Sequence, residues 1–332
     1  MLIMADDVGY ECFGFSGSKQ YSTPQLDRIA DSGVRFRNAF STPLCTPSRV
    51  TIMTGKSNVR NYVDFGALAP GETTFAKLFH DAGYATAIAG KWQLQGSADA
   101  AGTPPAEAGF DTYCLWNTPL TKRPRYWTPS IEQDELLDLP ADAYGPDVFS
   151  DFLIRFMERN RERPFFVYYP MALVPTHSCP LRTARTATAR TSSATEDMVA
   201  YMDKIVGRVD ATIDRLGLRE NTVLIFTADN GTHKKIRSRL GDRVIKAARG
   251  RRPTVAPTCP CLCALRALGR AVACSTTSVD FADFLPTLAE VIGAAAPSRT
   301  DGASGRASRA SRATRDSGCS PGTSHALRRT VR

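Results

Sequence analysis

The segment PLCTPSR places Cys45 between two prolines, Pro43 and Pro47, and four residues before Arg49. Proline is tolerated in the first turn of a helix, so Pro47 and the apolar residues after Arg49 predict a helix that begins close to Cys45. The free N–H groups at a helix N-terminus favour an anion, or a nucleophile that attacks one. The alternative interpretation of Cys45 is a small buried residue under a turn.

Polar residues follow three of the apolar runs. Asp6 and Asp7 follow LIMA, Lys91 follows YATAIAG, and Asp229 and Asn230 follow TVLIFTA. In a parallel sheet the carboxyl ends of the strands share one edge, and ligands bind beyond that edge. Carboxylate and amide oxygens are hard ligands that suit Ca²⁺ or Mg²⁺. A single aspartate after a strand is commonly a cap, but together these residues predict a cation site.

The runs that precede these residues alternate with helical patterns. Strands are predicted at residues 2–5, 84–89, 164–169 and 222–227, and each is apolar on both faces, as buried parallel strands are. Helices are predicted at residues 23–33, 73–83, 196–217 and 279–293, the last with a kink at Pro286. Alternating strands and helices predict an α/β fold with a mostly parallel central sheet flanked by helices.

Composition limits the class of protein. The chain has 332 residues, of which 42% are hydrophobic, so it can bury a sizeable core, and it contains no apolar run long enough to span a membrane. Its net charge of +9 comes from three arginine-rich stretches, residues 175–195, 247–275 and 298–332, and the remainder is mildly acidic. These stretches lack interleaved aromatic residues and any binding motif, which argues against a nucleic-acid partner.

The segment around Cys45 is similar to a known family signature. CTPSR resembles the C-x-P-S-R signature of the type I sulfatases, and IMADDVGY, TGKSNVRN, AGKWQL and TADNGTH resemble other blocks of that family in the same order. The resemblance covers residues 1–297, which we interpret as a sulfatase catalytic domain. It implies an alkaline-phosphatase-like fold and an arylsulfatase-like enzyme, a sulfuric ester hydrolase.

The resemblance also implies a chemistry for the site. Cys45 would be oxidised by the formylglycine-generating enzyme to formylglycine, whose hydrate attacks sulfur with one hydroxyl and expels sulfate with the other. Arg49 would hold this residue and Lys91 would contact the sulfate, while a general acid protonates the leaving alcohol. The divalent cation is Ca²⁺ in most of the family, with Mg²⁺ as the alternative. Its ligands would be Asp6, Asp7, the residue formed from Cys45, Asp229 and Asn230.

Three positions on the substrate side depart from the family pattern or match it loosely. Gln93 stands where the family commonly has a histidine, and it can donate a hydrogen bond to sulfate but cannot shuttle a proton. His177 lies near the position of another family histidine and is a candidate catalytic residue. His233 follows the DNG block and is a candidate substrate-binding residue. The segment 110–130, rich in aromatic and basic residues, is interpreted either as part of the pocket mouth or as a long packed loop.

The arginine-rich stretches suggest a hypothesis about the coding sequence. Residues 175–195 and 247–275 stand where the family has other blocks, and plausible codons read in another frame give family-like text, so we expect these stretches to be frame-shifted. Residues 298–332 would be a third such stretch or a disordered tail. On this hypothesis the chain is poorly folded or weakly active. We also expect the family's small C-terminal antiparallel subdomain to be missing.

Several alternatives remain open from the sequence. The same site could hydrolyse phosphate or phosphonate monoesters, or the chain could be a catalytically dead relative. The substrate is expected to be a small-molecule or carbohydrate sulfate ester. Because the chain opens directly on an apolar strand, we expect an N-terminal segment to be missing, and a leader in it would direct the protein to the periplasm or the extracellular space.

Overall fold

A computed structural model describes residues 1–97, 99–116, 124–133, 135–174, 191–233, 235–246, 258–264 and 273–295. Its centre is a set of five parallel strands in the order β8-β1-β7-β3-β4. They are β1 (Leu2–Ala5), β3 (Ala85–Lys91), β4 (Thr112–Trp116), β7 (Phe165–Pro170) and β8 (Leu224–Ala228). The prediction of a mostly parallel α/β sheet is therefore confirmed.

Further strands extend both edges of this sheet, giving ten strands in all. Beyond β8 lie β11 (Thr258–Ala264), β2 (Val34–Phe40) and β12 (Ala273–Asp280), with β11 antiparallel to both of its neighbours. Beyond β4 lie β5 (Ile131–Gln133) and β6 (Glu135–Leu136), both antiparallel. A separate two-stranded sheet pairs β9 (Arg237–Leu240) with β10 (Arg243–Lys246).

Helices cover both faces of the sheet because alternate residues of the central strands point to opposite sides. In β1, Ile3 joins one hydrophobic cluster and Leu2 joins the other. The first cluster includes residues of α1 (Pro24–Asp31), α5 (Gly145–Arg159) and α6 (Thr191–Arg215). The second includes residues of α2 (Cys45–Thr54), α4 (Phe75–Asp81) and α7 (Phe284–Val291), and the short α3 (Asn58–Asn61) follows α2.

The last predicted helix differs from the observed structure. Residues up to Asp280 belong to β12, a short 3₁₀ turn follows at Phe281–Asp283, and α7 begins only at Phe284. Pro286 therefore lies in the first turn of α7, where no N–H is needed, and it causes no kink inside the helix. Residues 298–332 and much of the other two arginine-rich stretches lie outside the described residues, so the frame-shift hypothesis stays a prediction.

Candidate active site

Three aspartates meet at the carboxyl edge of the central sheet. Because β1 and β8 are neighbours, Asp6 and Asp7 at the end of β1 lie beside Asp229 at the end of β8. One ligand oxygen from each lies within 4.8 Å of the others, and all three residues are buried. The Asp7 N–H donates to Asp229 Oδ1 at 3.0 Å, and Asn230 Nδ2 donates to Asp7 Oδ1 at 2.8 Å. The predicted convergence of these four residues is observed.

Cys45 is the first residue of α2, as the proline pattern predicts. The preceding residue, Leu44, is extended, and its carbonyl accepts from the Ser48 N–H at 3.2 Å, which closes the first helical turn. The Ser48 hydroxyl bonds to the Thr42 hydroxyl at 2.7 Å and so fixes the approach to the helix. Cys45 is a free cysteine with 3% of its surface exposed. Its thiol is therefore held at the N-terminal end of a buried helix.

Three cations surround Asp6. Lys91 Nζ donates to Asp6 Oδ1 at 2.7 Å, and Arg125 Nη1 lies 3.3 Å from Asp6 Oδ2. Arg49 Nη2 lies 3.6 Å from Asp6 Oδ1 and 3.8 Å from Asp229 Oδ2. The side chains of Arg49 and Lys91 are 1% and 5% exposed, whereas that of Arg125 is 22% exposed. Arg125 is thus the cation of this group that is most open to solvent.

Gly90 allows Lys91 to reach this position. A Cβ atom at Gly90 would lie 2.1 Å from the carbonyl oxygen of Pro170 on β7, and the residue has φ +112°. Only glycine fits such a close approach at a positive φ. The chain therefore needs Gly90 for β3 and β7 to end side by side with Lys91 beside Asp6.

The cations act on the two buried aspartates in opposite ways. Burial alone would raise the pKa of Asp6, but the positive charges of Lys91, Arg49 and Arg125 outweigh it and hold that pKa well below its usual range. Burial raises the pKa of Asp229 well above its usual value, and the negative charges of Asp6 and Asp7 act in the same direction. Asp6 is thus already neutralised by protein groups, whereas Asp229 lacks a full counter-charge.

The environment of Cys45 disfavours its thiolate. Burial raises the pKa of the thiol, and although Lys91 and Arg49 oppose this, Asp6 and Asp229 reinforce it. These same groups show that Cys45 shares the electrostatic environment of the aspartate cluster. Its sulfur is not a member of the 4.8 Å ligand group, which among the described residues consists of the three aspartates.

Arg125 is a site residue that the sequence analysis did not single out. Its guanidinium carbon lies 4.6 Å from the ring centroid of Trp116, so a cation–π contact helps to hold the Arg125 side chain beside Asp6. The sequence signal for it is the basic and aromatic composition of segment 110–130, which fits either a pocket mouth or a long packed loop. The contact with Asp6 supports the pocket-mouth interpretation, although residues 117–123 of this segment lie outside the described part.

The remaining predicted substrate-side residues are Gln93, His233 and His177. Gln93 lies two residues beyond Lys91, is partly buried and has φ +51°. His233 is partly buried in the loop that follows Asn230, and its Nδ1 accepts from the Lys235 N–H at 3.3 Å. His177 lies outside the described residues.

The oxygen cluster fits a hard divalent cation. Asp229 Oδ2 and Asn230 Oδ1 are buried and have no hydrogen-bond partner among the described residues. A buried oxygen without a partner is costly, and such atoms in native proteins commonly bind a water or an ion. The donor set consists of three carboxylates and one amide oxygen, which matches the ligands that Ca²⁺ and Mg²⁺ prefer.

Comparison with known proteins finds sulfatases. The sulfatase family model matches residues 1–250. Steryl-sulfatase of Rattus norvegicus is 28% identical over 324 residues, which covers 70% of this chain and 55% of that protein. Arylsulfatase A of Homo sapiens is 29% identical over 346 residues, covering 90% and 65%. N-acetylgalactosamine-6-O-sulfatase of Bacteroides thetaiotaomicron is 28% identical over 299 residues, covering 69% and 58%.

The chain therefore spans between half and two thirds of the length of these relatives. Among solved structures, that of Ps i-CgsB superposes with a TM-score of 0.75 at 24% identity, covering 89% of this chain and 72% of that one. This likeness supports the fold alone. In the part of the chain that the structure describes, no helix combines the length and the apolar character needed to cross a membrane.

Proposed function

The chain belongs to the sulfatase family, and from that premise we propose that it hydrolyses sulfate esters at the carboxyl edge of its central sheet. The observation that carries the proposal is the position of Lys91, whose Nζ lies 2.7 Å from Asp6 Oδ1 within a buried group of carboxylates. A fixed cation beside a cation-binding cluster, close to a residue at a helix N-terminus, is an arrangement suited to an anionic ester.

The charges of the site support an anionic substrate. Three carboxylates, those of Asp6, Asp7 and Asp229, are accompanied by three cations, Arg49, Lys91 and Arg125. A divalent cation added to this balanced group leaves a net positive charge. A sulfate ester carries one negative charge and would be attracted to it, more strongly in a buried site than in water.

We assign the cation as Ca²⁺, with Mg²⁺ as the alternative, and its protein ligands as Asp6, Asp7, Asp229 and Asn230. The buried oxygens of Asp229 and Asn230 that lack hydrogen-bond partners support this assignment. When bound, the cation would polarise a sulfate oxygen as a Lewis acid. Cys45 becomes a ligand candidate only after conversion, because a thiol is too soft for this oxygen-binding ion.

Conversion of Cys45 to formylglycine, with the formylglycine-generating enzyme as partner, is part of the same proposal. The raised pKa of the buried thiol makes unmodified Cys45 a weak nucleophile, which supports the need for a different group at this position. Formylglycine hydrate would supply hydroxyl oxygens in place of the sulfur.

The other side chains would hold and orient the ester. Arg49 Nη1 donates to the Lys91 carbonyl oxygen at 2.5 Å, so Arg49 connects the helix that begins with Cys45 to the end of β3. Lys91 and Arg125 would neutralise charge on the sulfate oxygens, and Gln93 would donate a hydrogen bond. His233 and His177 remain candidates for contacts to the leaving alcohol.

Two alternatives stay within the same site. A phosphate or phosphonate monoester is also a tetrahedral anion and would meet the same cations. A catalytically dead relative would bind anions without turnover, and Gln93 in place of a titratable histidine favours that outcome. The ester would be a small-molecule or a carbohydrate sulfate.

The proposal is tested with purified protein in calcium buffer. Mass spectrometry of the peptide over residues 38–56 should show a loss of about 18 Da at Cys45, the difference between CH₂SH and CHO. The converted protein should hydrolyse nitrophenyl sulfate faster than the phosphate or the phosphonate, and Cys45→Ala should abolish turnover. Converted protein that hydrolyses the phosphonate best would favour the alternative, and converted protein without any turnover would contradict the proposed activity.

A further inference from the structure

Thr232 lies in the segment that follows β8, and its hydroxyl group contacts the segment that follows β1. The residue is 2% exposed. Its Oγ1 accepts from the Gly9 N–H at 2.8 Å and lies 3.5 Å from Cys12 Sγ. The same hydroxyl is hydrogen-bonded to the buried carboxyl group of Glu11. One side chain thus connects the segments that leave two neighbouring strands, beyond the edge at which the aspartates meet.

The backbone of Asp7 is held on both sides. Asp7 has φ +57°, in the left-handed region that few residues other than glycine adopt, so surrounding contacts must keep it there. Its own N–H donates to Asp229 Oδ1 at 3.0 Å. Two residues later, the Gly9 N–H donates to Thr232 Oγ1. The turn that contains Asp7 is therefore attached at two points to the segment after β8.

Buried groups surround the Thr232 hydroxyl. A Cβ atom at position 9 would collide with Glu11 Oε2, so glycine is needed for the Gly9 N–H and the Glu11 carboxyl group to reach the same hydroxyl. On the other side, Cys12 Sγ lies 3.8 Å from the Oγ of Ser238, a buried residue of β9. A hydrogen-bonded group of this kind, buried on all sides, holds its members in one arrangement.

We propose that Thr232 is a positioning residue for the cation site, because its hydroxyl, through Gly9, fixes the backbone of Asp7 relative to Asn230. The inference rests on the proposed function, since it requires a cation at the aspartate cluster. Asn230 Nδ2 donates to Asp7 Oδ1 at 2.8 Å, and Asn230 Oδ1 is buried without a hydrogen-bond partner among the described residues. Ca²⁺ takes its ligand oxygens within a short range of distances, so a displaced Asp7 would weaken binding although every ligand is still present.

Thr232→Val tests the hydroxyl, because valine keeps the volume of the side chain and leaves the Gly9 N–H without this partner. Titration calorimetry of the purified full chain with calcium, and separately with magnesium, measures the affinity without any need for turnover. We expect the Kd for calcium to rise about tenfold in Thr232→Val and in Thr232→Ala, a second variant without the hydroxyl. Thr232→Ser keeps a hydroxyl at this position and should recover most of the parent's affinity.

Thr86→Val is the matched control. Thr86 is a buried residue of β3, and its Oγ1 donates to the Gly109 carbonyl oxygen at 2.8 Å and accepts from the Asp111 N–H at 2.9 Å. It too joins separate segments through a buried hydroxyl, but it lies at the opposite end of β3 from Lys91. We expect Thr86→Val to lower the urea midpoint in chelator, as Thr232→Val does, and to leave the Kd for calcium unchanged.

Three results would reject the positioning role while the cation site stands. They are calcium affinity like that of the parent in Thr232→Val and Thr232→Ala, an equal loss of affinity in Thr86→Val, and failure of Thr232→Ser to recover binding. If the parent itself binds neither calcium nor magnesium, the proposed cation site is wrong, and the role of Thr232 is rejected with it.

Discussion

Lys91 and Asp6 form a buried ion pair, with Nζ 2.7 Å from Oδ1, although 85 positions separate them in the sequence and β7 lies between their strands. Arg49 extends this pair, since it donates to the Lys91 carbonyl oxygen at 2.5 Å and lies 3.6 Å from Asp6 Oδ1. The end of β1, the end of β3 and the helix that begins with Cys45 are thereby connected. A substitution in any one of these three elements should therefore alter the position of side chains in the other two.

Replacing Lys91 should cost both stability and activity. Lys91→Met removes the nearest counter-charge of buried Asp6, while Arg49 and Arg125 remain, so we expect a loss of about 3 kcal/mol in the free energy of unfolding. Sulfate ester turnover should fall by at least about a hundredfold. Urea unfolding and steady-state kinetics measure the two effects. Lys56→Met is the matched control, because Lys56 pairs with Glu72 at the surface and should cost less than about 1 kcal/mol. Equal losses in the two variants would contradict the role of the buried pair.

Gly90→Ala tests whether the close approach of β3 and β7 positions Lys91. The added methyl group would lie 2.1 Å from the Pro170 carbonyl oxygen, so the strands must move apart. We expect at least about 4 kcal/mol of destabilisation, or no soluble protein. Gly217→Ala is the control, because Gly217 also has a positive φ, +70°, but no atom within 4 Å of the new methyl group. Gly217→Ala should lower the free energy of unfolding by only about 1–2 kcal/mol. Thermal unfolding measures both variants. Similar losses in the two would show that the strands move apart at little cost and that the contact with Pro170 does not position Lys91.

The sequence predicts the centre of this fold well for a physical reason. β1, β3, β7 and β8 are buried on both faces, so their apolar runs stand out, and the polar residues that follow them fall at one edge. Their parallel pairing then brings Asp6, Asp7 and Asp229 together. The start of α2 at Cys45 is predictable in the same way, from Pro47 and the apolar residues beyond it.

The edges of the sheet and the rim of the site are harder to predict. The β11 segment TCPCLCA contains a proline and no strand-like alternation, and it enters the sheet antiparallel between β8 and β2 through long-range pairing. Arg125 reaches Asp6 from an irregular segment, so no periodicity marks it.

Arg125 should matter more for substrate binding than for folding. Its side chain is the most exposed of the three cations beside Asp6, and Lys91 still neutralises that carboxylate when Arg125 is removed. For Arg125→Gln we expect KM for an aryl sulfate to rise about tenfold with a smaller change in kcat. Arg161→Gln, which removes an exposed pair with Glu162, should change neither constant. A fall in kcat at constant KM would instead indicate that Arg125 acts in the transition state only.

Glu11 gives the fold a pH dependence that can be measured. Burial raises the pKa of this 3%-exposed carboxyl, although hydrogen bonds from Thr232 and from the backbone oppose the shift. Because the folded pKa exceeds the unfolded one, its stabilising contribution is complete below the unfolded pKa and is lost as pH rises through the folded value. Glu11→Gln stays neutral, so it should be more stable than the parent near about pH 8 and lose that advantage toward about pH 4.

Urea unfolding across this pH range measures the difference between Glu11→Gln and the parent. Glu135→Gln, at an exposed carboxylate of β6, should follow the parent at every pH. If Glu11→Gln is less stable than the parent at high pH, the ionised carboxylate must be held by hydrogen bonds strong enough to offset its burial.

Calcium should stabilise the protein through the aspartate cluster. At a calcium concentration about a hundredfold above Kd, binding to the folded state adds about 2.7 kcal/mol to the free energy of unfolding, so the melting temperature in calcium should exceed that in chelator.

Asp229→Asn tests whether the aspartate cluster holds the ion, because it removes one of three buried carboxylates whose ligand oxygens lie within 4.8 Å of each other. In chelator this variant should be as stable as the parent or more so, because removing the Asp229 charge removes its repulsion with Asp6 and Asp7. Its gain in stability from calcium should nevertheless nearly vanish. Asp214→Asn, at a carboxylate that is 44% exposed and paired with Arg219, should keep the parent's full response. A calcium response that survives in Asp229→Asn would mean that the ion binds elsewhere, and the proposed ligand set would then be wrong.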